Sequence, residues 1–326
     1  MDNVTLVVYT WDILKGKTIH VYENSRLLVM IIIIVFLIPL VFGHYHYQSG
    51  YYFKQSHDST DEDEYNILND IGNVTSFDKI VANLSHNTKL LYLQRHGEGY
   101  HNIVPDFYSH HEWKCYLQMQ DGDDKYIWYD ANLTNTGINQ IQQINQMWKN
   151  TAAPIPQSFY VSPLIRTLET WKLNWHGVTD TFPIVKELAR ETYGISTSSK
   201  RHDKKFISSH YLVEFETNFT DKDELWEPTV HEGNHHRNYR AKKLLDEIFN
   251  DENPIISLVS HSGLIKSILN VIGHRKFKLA PGQMIPVVVT RTENDIKNKY
   301  DNQVQDWSGI SQECKRKDKP EIMYRK

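Results

Sequence analysis

The sequence predicts an α/β fold, a three-layer α/β/α arrangement around a mostly parallel sheet, preceded by one transmembrane helix. Two observations support this prediction. From residue 89 onward, short apolar runs of strand length alternate with helical patterns, which is typical of βαβ units. Near the N-terminus, residues 27–42 form an apolar run without a polar side chain. Apolar residues make up 40% of the 326-residue chain, which excludes a largely disordered protein.

The N-terminal apolar run is predicted to be a membrane anchor. A helix needs about 20 residues to cross a bilayer, so we expect the span to cover residues 27–45. Lys15, Lys17 and Arg26 precede the run, whereas only Lys54 follows it closely, which places residues 1–26 in the cytoplasm. The 26 residues ahead of the run and the lack of a clear cleavage motif disfavour a cleaved signal peptide. A buried core helix is also disfavoured, because in a chain of this size it would need polar residues on one side, and the run has none.

The region after the anchor is expected on the lumenal or extracellular side of a secretory-pathway membrane. Residues 46–85 are predicted to be a linker, because residues 58–64 are strongly acidic and therefore solvated. Two cysteines, Cys115 and Cys314, could pair in an oxidising lumen or remain free. The sequons after the anchor fit a glycoprotein, although an Asn-rich chain contains such triplets by chance: Asn73, Asn83, Asn132 and Asn218.

The globular domain is predicted to cover residues 86–294. Continuous apolar runs at residues 90–93, 158–161 and 255–259 suit strands that are buried on both faces of a parallel sheet. A further strand at residues 285–290 is expected at a sheet edge. Residues 134–149 have apolar side chains at helical spacing, with Thr134 as the N-cap. Other helices are predicted at residues 164–173, 238–249 and 262–272, and residues 295–326 form a polar, peripheral tail.

Residues suited to phosphate chemistry follow three predicted strands. Arg95 and His96 follow the first strand, Arg166 follows the second, and His261 follows the third. Because ligands of open parallel sheets bind beyond the carboxyl ends of the strands, we expect these side chains to converge. Arginine supplies a planar fork of donors to phosphate, and the helices that follow the last two strands add free N–H groups. One imidazole could then be a nucleophile and the other a hydrogen-bond donor.

The motifs at these positions resemble those of the histidine phosphatase superfamily, which has a phosphoglycerate mutase-like fold. The R-H-G-E-x-x-x-N motif appears as Arg95, His96, Gly97, Glu98 and Asn102. Three further elements follow in the family's order: L-T-x-x-G-x-x-Q (residues 133–140), S-P-L-x-R-T-x-x-T (residues 162–170) and S-H-x-G (residues 260–263). Residues 187–194, with 223–226 and 231–232, are similar to a fungal and plant branch of the superfamily.

The resemblance implies a phosphatase that needs neither a metal nor a cofactor. It implies that His96 becomes phosphohistidine, that Arg95, Arg166 and His261 bind the phosphate, and that Asn102 contacts it as well. Glu191 is implied as the proton donor to the leaving alcohol. Two departures from the family pattern are Ser262, which stands where the family often has glycine, and the membrane anchor.

The choice of proton donor is the least certain of these site predictions. Glu187 and Glu191 lie four residues apart and compete for the role. Glu191 is favoured because it precedes Tyr193 and Gly194, where the chain can turn towards the site, and because it matches the family's acid position. The alternative for either glutamate is a structural carboxylate paired with Lys186 or Arg190.

Other functions are less well supported by the sequence. The net charge of −4 argues against a nucleic-acid partner, so the expected partners are a small phosphorylated substrate and, through residues 27–45, a membrane. A literal H-E-x-x-H at residues 231–235 could bind zinc on a helix, but glycine and asparagine in its middle favour a solvated loop. A phosphomutase of the same fold and a catalytically silent binding module remain alternatives. The charged run at residues 200–205 is expected to be a solvated loop near the substrate entrance.

Overall fold

The computed structural model describes residues 44–48, 77–292, 300–303, 305–311 and 314. The predicted cytoplasmic segment, nearly all of the predicted membrane span, the acidic linker stretch and the Asn73 sequon therefore lie outside the described residues. Among the helices that the structure describes, none combines the length and the apolar character that a membrane crossing requires.

A seven-stranded, mostly parallel sheet forms the centre of the domain. The strands are β1 (His44–Tyr47), β2 (Thr88–Arg95), β3 (Ser158–Val161), β4 (Ile184–Val185), β5 (Glu214–Phe215), β7 (Ile255–Ser260) and β8 (Met284–Thr292). Their order is β1-β8-β2-β7-β3-β4-β5, and β8 runs antiparallel to both of its neighbours, β1 and β2, while the other strand pairs are parallel. A separate two-stranded ladder pairs β6 (Val230–Glu232) with β9 (Trp307–Gly309). The three predicted parallel strands are confirmed.

Helices cover both faces of this sheet. For this reason β7 and nearly all of β2 are buried along their length. The α-helices of the described residues are α1 (Phe77–Ala82), α2 (Tyr100–Ile103), α3 (His110–Cys115), α4 (Asn135–Asn150), α5 (Ile165–Trp175), α6 (Lys204–His210), α7 (Asn234–Ile248) and α8 (Ser262–Val271). Helix α4 packs on α5, and α7 packs on α8. In the first pair, the Trp148 ring packs against that of Trp175 with a centroid distance of 4.8 Å and contacts Tyr92 of β2. The predicted three-layer α/β architecture is confirmed.

The N-cap of the longest helix is also as predicted. The Thr134 hydroxyl accepts a hydrogen bond of 3.1 Å from the Gly137 amide and so satisfies one of the free N–H groups at the start of α4. The predicted start of α7 is wrong, because this helix begins at Asn234, four residues earlier than expected.

The predicted edge position of β8 is wrong, because β1 pairs with its outer side. Tyr45 of β1 is only 1% exposed, packs against the Phe249 ring, and donates a hydrogen bond of 2.8 Å to Asp246. His44 and Tyr45 therefore belong to the sheet, although the sequence assigned them to the membrane span. The linker predicted at residues 46–85 is likewise interrupted, since Phe77 and Ile80 of α1 lie in the core.

The C-terminal segment is tied to the domain rather than merely peripheral. Strand β9 pairs with β6, and Tyr300 is buried against the core. Cys314 forms a disulfide with Cys115, at the end of α3, with a Cα–Cα distance of 5.0 Å. The pairing joins positions 199 residues apart, which is why the sequence left it open.

The charged run at residues 200–205 is not uniformly solvated. The Arg201 side chain is 1% exposed and donates hydrogen bonds to the carbonyl oxygens of residues 202, 220, 221 and 222. Its Nε donates to Glu187 at 2.7 Å. Asp203 is the N-cap of α6 and accepts from the Phe206 amide. Arg201 and Asp203 therefore stabilise the conformation of this segment.

Candidate active site

The carboxyl ends of β2, β3 and β7 meet at one edge of the sheet. Arg95 lies opposite Ser260 in the β2–β7 ladder, and Val161 lies opposite Val259 in the β3–β7 ladder. The residues that follow these strands are therefore neighbours, as the sequence predicted. The rings of His96 and His261 lie 5.1 Å apart.

His96 is buried and presents one nitrogen without a protein partner. Its Nδ1 lies 2.7 Å from the carbonyl oxygen of Gly97, and because a carbonyl only accepts hydrogen bonds, Nδ1 carries the proton. This leaves a lone pair on Nε2, which forms no hydrogen bond with the described residues. Burial, together with the charges of Arg166 and Arg95, holds the pKa of His96 well below its usual value. The imidazole is therefore neutral and nucleophilic at neutral pH.

A glycine is required next to His96 by the close approach of α4. A Cβ on Gly97 would lie 2.8 Å from the carbonyl oxygen of Gly137, inside the contact distance that real side chains keep. The Gly97 amide donates to the Thr170 hydroxyl at 3.0 Å. The R-H-G and S-P-L-x-R-T-x-x-T elements are thus joined by a hydrogen bond, which fixes the backbone that carries the nucleophile.

Two arginines beside His96 have no carboxylate partner among the described residues. Arg166 is 1% exposed and donates from one terminal nitrogen to the Ser198 carbonyl at 2.8 Å. Arg95 donates to the Leu279 carbonyl at 2.9 Å. The Nε atoms of both are buried without a hydrogen-bond partner. Burial lowers the pKa of Arg166 to about 10, so the group stays charged at neutral pH. Two desolvated cations with unused donors favour a dianionic ligand such as phosphate.

His261 completes the group of basic side chains. It is fully buried, and its Nε2 lies 2.8 Å from the Ser162 hydroxyl, which comes from the end of β3. Its Nδ1 is buried without a partner. Burial, and then the charge of Arg166, holds its pKa well below the usual value. Ser262, the departure from the family pattern, is the first residue of α8 and is partly exposed.

The structure separates the two competing glutamates. Glu191 lies against the start of α8, where a Cβ on Gly263 would come within 2.2 Å of its Oε1, and it accepts from the Gly263 amide at 3.4 Å. Its Oε1 also accepts from the amide and the hydroxyl of Thr192. Glu187 instead binds Arg201 at 2.7 Å and Arg190 at 3.6 Å. Glu187 is therefore held in structural ion pairs, while Glu191 lies next to the S-H-x-G element.

Asn102 lies in the same loop but already has a structural contact. Its Oδ1 accepts from the Gly99 amide at 3.0 Å and closes the first turn of α2. This bond accounts for an asparagine at that position without a ligand. A direct contact between Asn102 and phosphate remains a prediction.

A third imidazole, which sequence reasoning did not assign, lies beside the nucleophile. The ring of His101 is 5.1 Å from that of His96, and its Nδ1 is buried without a partner. Gly99 makes room for it, since a Cβ there would lie 2.8 Å from His101 Nδ1. Burial is the main reason that the pKa of His101 is well below the usual value. The only signal in the sequence was its position inside the R-H-G-E-x-x-x-N motif.

The H-E-x-x-H motif has no zinc-site geometry. His231 and Glu232 lie in β6, and α7 begins only at Asn234, so the two histidines do not share a helix face. Glu232 is buried rather than solvated and binds Arg240 at 2.6 Å and His236 at 2.7 Å. The charge of Arg240 and these hydrogen bonds lower the pKa of Glu232 to about 2, in spite of its burial. The described residues contain no group that could hold a metal ion.

The three imidazoles of the site predict that stability decreases in acid. His96, His101 and His261 have pKa values below the 6.5 of an unfolded histidine. Between those values and pH 6.5 the unfolded state binds more protons, so the free energy of unfolding falls as the pH falls. Each imidazole contributes up to about 1.4 kcal/mol per pH unit. Urea denaturation followed by tryptophan fluorescence at pH 7.0 and 5.5 measures this loss, and His101→Asn should reduce it. Equal stability at both pH values would contradict the burial of neutral imidazoles.

The sequence matches known proteins over the region that contains this site. The model of the histidine phosphatase superfamily (branch 1) matches residues 91–286. Phosphomutase-like protein 3 of Candida albicans is 43% identical over 266 residues, which cover 78% of this chain and 84% of that protein. Probable phosphoglycerate mutase PMU1 of Saccharomyces cerevisiae is 30% identical, over 72% of this chain and 90% of that protein. A probable phosphoglycerate mutase of Arthroderma benhamiae is 41% identical, over 61% and 63%.

Proposed function

The chain belongs to the histidine phosphatase superfamily, branch 1, and we propose that it hydrolyses a phosphomonoester through a phosphohistidine formed on His96. One observation carries the proposal. A neutral imidazole with a free Nε2 lies beside two arginines whose Nε atoms are buried and unpaired and which have no carboxylate partner among the described residues. This arrangement suits attack on a phosphate dianion.

The proposed reaction has two chemical steps. In the first, the Nε2 lone pair of His96 bonds to phosphorus, the ester P–O bond breaks, and Glu191 gives its proton to the leaving alkoxide. In the second, Glu191 takes a proton from water, the water oxygen bonds to phosphorus, and the P–N bond breaks to regenerate His96. Arg95, Arg166 and His261 bind the phosphoryl oxygens in both steps and stabilise the charge in the transition state.

A phosphomutase is the second candidate, because three similar fungal proteins carry mutase or phosphomutase in their names. A mutase would return the phosphoryl group from His96 to an alcohol rather than to water. A catalytically silent binding module is disfavoured because the predicted nucleophile, arginines, second imidazole and acid are all present: His96, Arg95, Arg166, His261 and Glu191.

Hydrolysis of an aryl phosphate by the full-length protein tests the proposed function. We expect release of the aryl alcohol and inorganic phosphate with a metal chelator present, since the arginines supply the positive charge. Transfer of phosphate to an added alcohol in preference to water would identify a mutase instead. Activity that a chelator abolishes would contradict the metal-independent mechanism.

We also propose that the catalytic domain lies on the lumenal or extracellular side of a membrane, anchored by residues 27–42. The Cys115–Cys314 disulfide supports an oxidising compartment. Asn83, Asn132 and Asn218 are all exposed. The side-chain amide of Asn132 donates to Glu169 at 2.6 Å, and that of Asn83 donates to the Lys79 carbonyl at 2.7 Å. We therefore expect a glycan at Asn218, whose side-chain amide forms no hydrogen bond with the described residues.

Membrane attachment and glycosylation can be measured on the native protein. The protein should stay in the pellet after alkaline carbonate extraction, and an endoglycosidase should increase its mobility in a gel. Asn218→Gln should remove part of that shift, while Asn132→Gln serves as the matched control. Release by carbonate would contradict the anchor, and the absence of any shift would contradict the lumenal orientation.

A further inference from the structure

An arginine without a carboxylate partner lies on the Glu191 side of the site. Arg237, in the first turn of α7, is partly buried and held by three neutral groups. Its terminal nitrogens donate to the Thr192 hydroxyl at 2.7 Å and to Asn234 Oδ1 at 2.6 Å, and its Nε donates to the Ser267 hydroxyl at 3.1 Å. The guanidinium is therefore fixed in place, with N–H groups to spare.

The neighbouring arginines are all neutralised by carboxylates. Arg190 binds Asp223 at 2.6 Å, Arg201 binds Glu187 at 2.7 Å, and Arg240 binds Glu232 at 2.6 Å. In the described part of the chain, Arg237 has no carboxylate within 4.0 Å. Arg95 and Arg166, which we assign to the phosphate, share this property. A desolvated cation without a counter-ion fits an anionic ligand.

The charged side chains near Arg237 form their hydrogen bonds with other residues. Glu191, Glu232 and Asp306 act on it only through space, and Arg240 opposes them. The Glu232 oxygens bind Arg240 and His236, and an Asp306 oxygen accepts from the His235 amide. Burial lowers the pKa of Arg237, so a bound anion would relieve an existing electrostatic penalty.

Thr192 links Arg237 to the leaving-group side of the reaction. The Thr192 hydroxyl accepts from Arg237 and donates to Glu191 Oε1 at 3.2 Å. Arg237 is thus joined to Glu191 by two hydrogen bonds, and Glu191 in turn protonates the leaving oxygen in the proposed mechanism.

We propose that Arg237 forms a second anion subsite that binds a carboxylate or phosphate group on the leaving part of the substrate. The assignment of this subsite to the leaving part of the substrate rests on the proposed function. The substrate is then a phosphomonoester with a second anionic group a few bonds from the ester oxygen.

Binding of non-hydrolysable phosphonates tests the subsite independently of turnover. The ligands are 3-phosphonopropanoate and 4-phosphonobutanoate, each compared by calorimetry with its carboxamide analogue on the full-length protein. For at least one chain length, we expect the carboxylate to bind roughly 10- to 100-fold more tightly than the carboxamide, the size of a charged hydrogen bond. Arg237→Gln should remove this preference and leave the Kd of the carboxamide within about threefold.

Lys266→Gln is the matched control, because it removes one exposed positive charge from α8 next to Ser267 and should leave the preference intact. No preference in the wild-type protein, or a preference that survives in Arg237→Gln, would overturn the subsite. A positioning role for Arg237 would weaken both ligands equally and so preserve the ratio, which also overturns it. Failure to hydrolyse any phosphate ester, with the preference present, would refute the proposed function and leave the subsite standing.

Discussion

Replacing His96 by glutamine should abolish phosphatase activity, with a loss of roughly 10⁴-fold or more in kcat, as expected when a covalent nucleophile is removed. Glutamine retains polarity and approximate size but has no nitrogen lone pair that can attack phosphorus. Arg95 and Arg166 remain in the variant, so inorganic phosphate should still bind. The loss should therefore appear in the chemical step rather than in the affinity for phosphate.

The control for this substitution is His110→Gln, which changes an exposed histidine at the start of α3. It should leave kcat within about twofold, since surface changes away from the site have small effects. The pair is measured by steady-state hydrolysis of an aryl phosphate, with circular dichroism to compare folding. If the folded His96→Gln protein retained more than about a tenth of the wild-type kcat, another nucleophile would have to be sought.

Replacing Glu191 by glutamine should slow hydrolysis of an alkyl phosphate by roughly 10²–10⁴-fold, the usual contribution of general acid catalysis. An alkoxide is a poor leaving group and needs the proton that Glu191 supplies. An activated aryl phosphate needs little protonation and should lose much less. Glutamine preserves the size of the side chain, so the contact with Gly263 should survive in the variant.

Glu187→Gln separates catalysis from structure in the same experiment. Glu187 binds Arg201 and Arg190, two fully buried cations, so its replacement should lower the free energy of unfolding. It should not change the ratio of alkyl to aryl rates. An equal loss on both substrates in Glu191→Gln would indicate a binding or folding role, and a selective loss of the alkyl rate in Glu187→Gln would move the acid to that residue.

The site could be predicted from the sequence because it depends on strand ends. Parallel strands bring their carboxyl ends to one edge, so Arg95, His96, Arg166 and His261 are neighbours whatever the loops between them do. The same rule cannot choose between Glu187 and Glu191, which lie in an irregular connection. Their difference follows from a short 3₁₀ turn at Glu187–Ala189 and from the ion pairs that it positions.

Non-local pairings account for what the sequence missed. β1 consists of four aromatic residues without an apolar run of their own. It joins the sheet only because β8 offers a free edge, where Tyr47 pairs with Val289, 242 residues later in the chain. The Cys115–Cys314 bridge spans a similar separation. Arg201 appears as part of a charged loop in the sequence, yet it is buried because carbonyl oxygens of residues 220–222 surround it.

Trapping the covalent intermediate tests the central claim most directly. The full-length protein is mixed with an aryl phosphate, quenched in alkali within milliseconds to preserve phosphohistidine, digested, and analysed by mass spectrometry. We expect one phosphoryl group on the imidazole of His96 in the wild-type protein, more of it in Glu191→Gln if hydrolysis of the intermediate is slowed, and none in His96→Gln. Phosphate on any other residue, or turnover without a phosphorylated protein at any quench time, would contradict nucleophilic catalysis by His96.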